Sequence, residues 1–290
     1  MARILVVGNA TLDLVQVVEH YPEEDQEIRA LTRERRRGGN AANTAVVLSQ
    51  FGHACAWVGV YASDSDSQFI LDDLRRHAVD VSHARRAQGD TPTSVIILSR
   101  ATGSRTIVHH RALEEYTFDD FRRLDPSAYD WFHFEARNIA QTRAMLTWLR
   151  DRASTARISI EMEKDRVDID SLTPFADVLL FSAGFARQRA LEAEALLRTA
   201  RQTASAADVY CGLGARGACA LDKEGRYHES PAFRPAEVID TLGAGDTFNA
   251  AIIDGYFRKL STSERLARAC RIAGKKCGRF GLDGFSAEHD

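Results

Sequence analysis

Asp240-Thr241-Leu242-Gly243-Ala244-Gly245-Asp246-Thr247-Phe248-Asn249-Ala250 is the stretch from which the fold is read. A strand-like approach, Glu237-Val238-Ile239, leads into a glycine-rich turn, and an apolar-periodic helix follows at once. Glycine admits unusual backbone angles and lets other groups come close to the main chain. The start of a helix offers N–H groups without intrahelical partners and the positive end of the macrodipole. Together these suit an anion, most naturally a phosphate. Asp246 lies inside the same turn, where a bound phosphate repels it unless a third group stands between them. A substrate hydroxyl is such a group. Asp246 is therefore expected to accept a hydroxyl proton while the amides of Gly243, Ala244 and Gly245 stabilise charge on a transferred phosphoryl group. The bland alternative is a glycine-rich loop whose Asp caps a helix.

Working outward, a second signal precedes it at Gly38-Gly39-Asn40-Ala41-Ala42-Asn43. Two glycines lead into a helix with Asn40 near its cap. Asn43 falls three residues on, on the same helix face. Two amides so placed can bind vicinal hydroxyls of a sugar, although ordinary capping explains them equally well in isolation. Asp13 and Asp25 supply carboxylates that can accept sugar hydroxyls. Taken singly, each reads as a turn or solvated residue.

Between the two signals, short apolar runs alternate with amphipathic segments. Strands are expected at 4–8, 54–60, 131–135, 158–161, 178–181, 209–211 and 218–221. Helices are expected at 41–51, 68–77, 141–151, 185–203, 245–259 and 263–280. Several strands are apolar throughout rather than alternating, as in a parallel sheet covered on both faces. The pattern predicts one α/β domain over residues 1–290, a three-layer αβα sandwich with a mainly parallel sheet. Residues 11–37 and 89–111 break the pattern with alternating strands and turns, such as Ala101-Thr102-Gly103-Ser104. They read as hairpins forming a small β lid. Sugar residues near 13–43 and phosphate residues near 240–246 must then meet in one cleft.

Composition narrows the function classes. The chain has 290 residues, 44% apolar and 27% charged, which excludes a disordered, collagenous or coiled-coil chain. Lys and Arg number 38 against 41 Asp and Glu, a net charge of −3. That balance offers no field for nucleic acid or an anionic membrane. Arg33-Glu34-Arg35-Arg36-Arg37 reads as a solvated face of the lid. No apolar run is long enough for a membrane span, and residues 4–8 read as a buried strand rather than a signal-peptide core. The five cysteines lack a C-x-x-C and are expected reduced, in the cytoplasm. Gly212-Leu213-Gly214-Ala215-Arg216-Gly217 spells a dinucleotide fingerprint, but the strand-like Ala218-Cys219-Ala220-Leu221 follows where that fingerprint requires a helix.

The two glycine-rich signatures, in this order and about 200 residues apart, resemble those of the ribokinase-type (PfkB) carbohydrate kinases, and within them most closely the ketohexokinases. The likeness extends over nearly the whole chain. It includes Tyr21-Pro22-Glu23-Glu24-Asp25, Gly89-Asp90-Thr91-Pro92, Arg105-Thr106-Ile107-Val108, Glu161-Met162-Glu163-Lys164 and Gly274-Lys275-Lys276-Cys277-Gly278. The resemblance implies an ATP- and Mg²⁺-dependent kinase that phosphorylates a primary hydroxyl of a ketohexose such as fructose. Asp246 would be the base and residues 243–245 the anion hole. Asp13, Gly39, Asn40, Asn43, Arg137 and Asn138 would bind the sugar. Arg105 and Lys164 would face the phosphates, Gly214, Ala215, Arg216 and Gly217 would line the nucleotide, and Cys277 would lie near the base. Asp25 would reach a neighbouring subunit through a lid that pairs into a homodimer. Potassium would sit on carbonyls near Asp240 and Thr241. The N-x-x-E motif that helps order magnesium is missing at Ser182-Ala183-Gly184-Phe185, so Glu161 and Glu163 would act through water. The rival readings are another kinase of this type, acting on a different ketose, a furanose or a nucleoside, and a non-catalytic sugar- or nucleotide-binding regulator.

Overall fold

Apolar runs without an alternating wet face can only form strands that are covered on both sides. They do so here in the computed structural model, which describes residues 1–152, 155–204 and 206–285. In chain order the strands are β1 (Arg3–Val7), β2 (Thr11–Val18), β3 (Thr32–Gly38), β4 (Ala54–Val58), β5 (Val60–Tyr61), β6 (Arg85–Arg86), β7 (Thr93–Ser99), β8 (Arg105–His110), β9 (Trp131–Glu135), β10 (Arg157–Met162), β11 (Val178–Ser182), β12 (Asp208–Gly212), β13 (Ala218–Leu221) and β14 (Tyr227–Ser230). The α-helices are α1 (Asn40–Gln50), α2 (Ser65–Arg76), α3 (Phe118–Phe121), α4 (Ile139–Arg152), α5 (Ala183–Gln188), α6 (Ala193–Thr203), α7 (Ala244–Phe257) and α8 (Thr262–Cys277).

An eight-stranded sheet runs β14-β13-β12-β11-β10-β9-β1-β4. Every pairing from β4 to β12 is parallel, and β13 and β14 join antiparallel. Side chains alternate across β1, and each set enters its own core. Leu5 and Val7 pack with Leu146 and Leu149 of α4 and Leu196 and Leu197 of α6. Ile4 and Val6 pack with Val46 of α1, Ile252 of α7 and Leu266 of α8. Two cores on opposite faces of one sheet make the three-layer α/β fold. Among the described residues no helix is long and apolar enough to cross a membrane.

A separate four-stranded sheet runs β3-β2-β7-β8. Its strands fall inside the two stretches that break the α/β pattern. β7 and β8 form a hairpin across residues 100–104, with Gly103 in the left-handed region at φ 66°. β2 and β3 also pair antiparallel, but residues 19–31 separate them, so they do not form a tight hairpin.

Three local expectations fail for physical reasons. The helix expected over 185–203 is two helices, α5 and α6, because the chain turns with Ala190 at φ 52°. The strand expected over 54–60 breaks at Gly59, where a Cβ would lie 2.3 Å from the Trp57 ring and 2.4 Å from the Gly8 carbonyl oxygen. Glu237-Val238-Ile239 is a loop, not a strand: the Ile239 amide bonds the carbonyl of Cys277 at the end of α8 instead of a neighbouring strand.

Candidate active site

The lid covers the C-terminal ends of the parallel strands, where open α/β sheets place their ligands. Between them lies a cleft of about 990 Å³. Strands and helices from both ends of the sequence supply its walls.

Asp246 enters from the first turn of α7 and is buried. No side chain caps that helix, and its N-cap Gly243 adopts φ 78°. The first-turn amides therefore have no side-chain partner, but the Ala244 amide bonds the Thr241 carbonyl at 3.4 Å, and Ala244, expected in the anion hole, does not line the cleft. Asn43 of α1 donates its side-chain amide to Asp246 Oδ2 at 2.6 Å. Arg37 fixes the orientation of that amide by donating to Asn43 Oδ1, and its Nε bonds Asp73 Oδ2 at 2.7 Å. Burial pushes the Asp246 carboxyl up to about 7; Glu163 and Glu135 add to the effect and the Asn43 hydrogen bond opposes it.

Two further carboxylates line the floor. Glu161, on β10, accepts from Asn40 Nδ2 at 3.1 Å, and its Oε2 has no partner although it is buried. Burial and the neighbouring Asp246, Glu135 and Glu163 raise its pKa well above the ordinary range. Glu135, at the end of β9, accepts from the Asn9 amide at 2.8 Å and from Arg137 at 3.1 Å. Among the described residues no group of three or more His, Cys, Asp or Glu side chains is arranged to hold a metal ion directly. The unpartnered Glu161 oxygen beside Glu163 does fit a hydrated cation held through water.

The lid lowers Asp13 into the same space. Its Oδ1 accepts from Thr11 Oγ1 at 2.9 Å, and burial raises its pKa. Asp13 fits because residue 38 is glycine: a Cβ there would lie 2.1 Å from Asp13 Oδ2. Gly39 lies at φ 94°, where a Cβ would meet the Asn9 carbonyl oxygen at 2.5 Å.

The lid also holds the glycine-rich loop. Arg105 Nη1 donates to Thr241 Oγ1 at 2.7 Å, and Arg36 Nη1 donates to Asp240 Oδ2 at 2.6 Å. Asp240 accepts in addition from the amides of Leu242 (2.9 Å) and Gly281 (3.1 Å). Its carboxyl is held below the ordinary range by Lys276 and Arg36 against the effect of burial. Of the carbonyls near Asp240 and Thr241 expected to hold potassium, that of Asp240 already accepts from an ammonium: Lys276 Nζ stands 2.7 Å from it and 2.9 Å from the Asp240 carboxylate.

Sequence reasoning missed the arginines of β3. Arg33 and Arg35 are exposed as expected, but Arg36 and Arg37 are not a solvated face; Arg35, Arg36 and Arg37 line the cleft, and each bonds an acidic residue outside its own strand. Their position directly before Gly38-Gly39-Asn40 was the available signal. Glu135 was missed as well, as was His109, which turns into the cleft from β8 against Ser94 at 3.1 Å. Of the expected residues, Asp13, Gly39, Asn40, Asn43, Arg105, Arg137, Glu161, Glu163, Lys164, Thr241, Gly243, Gly245 and Asp246 meet in the cleft. Asn138 does not: it is exposed, and its Oδ1 accepts from the Gln141 amide at 3.4 Å in the first turn of α4. Asp25 lies in the exposed 19–31 connection, outside its own chain's cleft. Gly214, Ala215 and Arg216 form a short 3₁₀ turn, and Gly217 packs against the Ser230 carbonyl. That turn and the half-buried Cys277 also lie outside the cleft walls.

Residues 1–289 match the pfkB family of carbohydrate kinases. This chain belongs to that family. The pfkB kinase is 37% identical over 293 residues to ketohexokinase of Mus musculus, covering 98% of each chain. It is 25% identical to fructosamine kinase FrlD of Bacillus subtilis, over 98% of this chain and 93% of that one. Its fold superposes with a TM-score of 0.82 on 2-dehydro-3-deoxygluconokinase from Thermotoga maritima, at 16% identity over 99% and 98% of the two chains. Ribokinase of Arabidopsis thaliana, solved with ribose and ATP, gives a TM-score of 0.77 at 20% identity over 97% and 94%. The pfkB kinase is thus an ATP-dependent carbohydrate kinase of ribokinase-like fold.

Proposed function

We propose that this kinase moves the γ-phosphoryl group of ATP to the primary O1 hydroxyl of a ketohexose such as fructose, giving the 1-phosphate. The likeness to mouse ketohexokinase supports the ketohexose. The observation that carries the chemistry is the convergence of Asp13, Asn40 and Asn43 on Asp246, since the contact from Asn43 to Asp246 joins residues 203 positions apart. Asp13, Asn40 and Asn43 hold the sugar hydroxyls, with Gly39 keeping the backbone close and Arg137 at the edge of the cleft. Asp246 takes the hydroxyl proton as the bond to phosphorus forms. The amides of Gly243, Ala244 and Gly245, with Arg105 and Lys164, stabilise the charge spread over the phosphoryl oxygens, where most catalysis of this transfer lies. Mg²⁺ bound with ATP supplies further charge neutralisation, and Glu161 and Glu163 would hold it through water. Residues 214–217 and Cys277 would line the nucleotide. The lid excludes water, which would otherwise hydrolyse ATP.

A homodimer through the lid fits this reading. Val95 and Val108, cross-strand partners in β7 and β8, expose apolar surface on one face of the lid, and Ile28 and Leu31 are exposed in the 19–31 connection. Such a dimer would carry Asp25 toward the partner's cleft. Five unpaired cysteines suit a reducing, cytoplasmic setting.

A coupled ADP-release screen across fructose, tagatose, psicose, ribose, fructose 6-phosphate and adenosine tests the reading. Fructose or another ketohexose with a free O1 should give the highest kcat/KM, and phosphorus NMR should place the new ester on O1. Turnover confined to ribose, fructose 6-phosphate or adenosine would refute the ketohexose. ATP and sugar binding without ADP release would leave a regulator.

A further inference from the structure

Lys276 is the penultimate residue of α8, and its side chain is fully buried. Burying an ammonium is costly unless its surroundings answer the charge, so its partners define its role. Nζ donates to the Asp240 carbonyl at 2.7 Å and lies 2.9 Å from Asp240 Oδ2. The Arg279 carbonyl stands at 3.5 Å. Two backbone carbonyls and one carboxylate, drawn from two loops around a single positive charge, form an all-oxygen donor set of the kind that suits a hard cation. An ammonium and a potassium ion carry the same charge and are close in size.

We propose that Lys276 is the resident monovalent cation of this kinase, a positioning residue that holds the Asp240–Gly245 turn in working geometry so that catalysis needs no potassium. The inference rests on the reading of that turn as the phosphoryl-binding loop. Asp240 links the cation to the loop, because its carboxylate also receives the Leu242 and Gly281 amides and the Arg36 guanidinium. With a positive charge between them, the Asp240 carbonyl and carboxylate can face the same point. Without it they repel, and the turn leading to Gly243 and the amides beyond it loses its fixed direction. A tethered ammonium also needs no recruitment from solution, so the loop is ordered before ATP arrives.

Initial rates and melting temperature of the wild type are measured in potassium, sodium and tetramethylammonium chloride at equal ionic strength. Both should be unchanged across the three salts. Lys276→Met should lower kcat about 10²-fold, the scale of a small displacement of catalytic groups. Potassium or ammonium chloride should restore part of that rate and raise the variant's melting temperature, while tetramethylammonium, too large for the site, should do neither. A general loss of packing would not be repaired by one small cation. A wild-type rate that climbs with potassium overturns the proposal. So does a folded Lys276→Met enzyme to which potassium returns neither rate nor stability. If the variant does not fold, the wild-type salt comparison decides alone. If no sugar is phosphorylated, the kinase reading fails separately, and the melting temperatures still report on the cation.

Discussion

Asn43 donates its side-chain amide to the carboxylate of Asp246 across 2.6 Å. The donor stands on α1, directly after the first glycine pair, and the acceptor on α7, directly after the second glycine-rich turn. Arg37 turns the amide so that its NH₂ group faces Asp246, and Asp73 in turn holds Arg37. A buried carboxylate with one fixed donor keeps its other lone pairs for substrate. That is the arrangement a base needs if it is to take a proton from a hydroxyl delivered by the sugar-binding helix.

Asp246→Asn removes the proton acceptor but keeps the shape and a partner for Asn43. It should lower kcat by about 10²–10⁴, the range for loss of a positioned base, with little change in ATP affinity by calorimetry. Near-normal turnover would remove Asp246 from the role.

The pH dependence follows from burial. The Asp246 carboxyl is pushed from 3.8 up to about 7, and a base works only when ionised. The kcat/KM of the wild type should therefore rise with pH through about 7. Asn43 favours the ionised form, so Asn43→Ala should move that limb to higher pH; an unmoved limb would break the link. Stability runs the other way. The folded pKa lies above the unfolded one, so the folded state holds a proton that the unfolded chain releases, and stability is lost as pH rises from about 4 to about 7. Asp246→Asn should thus melt higher than wild type at about pH 8 and lose that advantage near pH 4.

Most strand positions and both glycine-rich signatures were legible because each rests on local pattern: apolar runs, helix starts and turns; the order of the strands in the sheet, set by long-range pairing, was not. Asp246, Asn43 and Asn40 could be named because their spacing within one helix turn has chemical meaning. Arg36 and Arg37 could not. Their roles come from Asp240, 204 positions away, and from Asp73, 36 positions away, and a run of arginines looks the same whether solvent or a cleft faces it. Asn138 shows the converse: it follows a strand at the correct end of the sheet, yet the nearest unmet need is the open amide of Gln141, and capping takes the side chain. Lys276 sits in a motif that was legible, but its burial against Asp240 depends on how α8 ends, which no local spacing encodes.

Gly38→Ala places a methyl group where the Asp13 carboxylate now sits. Asp13 must then move, and with it one expected sugar contact. KM for the sugar should rise about 10-fold or more, the effect of one lost charged hydrogen bond, while KM for ATP holds. Equal loss in both would mean that the lid as a whole had been disturbed.

Asp25 can act only on a neighbouring chain if it acts at all, because it lies outside its own cleft. Asp25→Ala should raise the sugar KM and leave the melting temperature unchanged, and sedimentation should show a dimer in both proteins. A monomeric wild type, or an unchanged sugar KM in a dimer, would rule out the clasp.

Arg105 is exposed on the lid and touches the loop through one hydrogen bond, to Thr241 Oγ1 at 2.7 Å. An exposed side chain with one such bond adds little to stability, so Arg105→Ala should melt like the wild type. In the proposed reaction its guanidinium would nevertheless face the transferred phosphoryl group, where charge peaks during transfer. Loss of one donor at such a point costs about 10²–10³ in rate. kcat should fall by that factor, with the sugar KM nearly constant, since Asp13, Asn40 and Asn43 remain. Thr241→Val removes only the group that holds Arg105 in place and should give a smaller loss of the same kind. If Thr241→Val were as damaging as Arg105→Ala, the hydroxyl itself, rather than the guanidinium it anchors, would be the group that meets the phosphate.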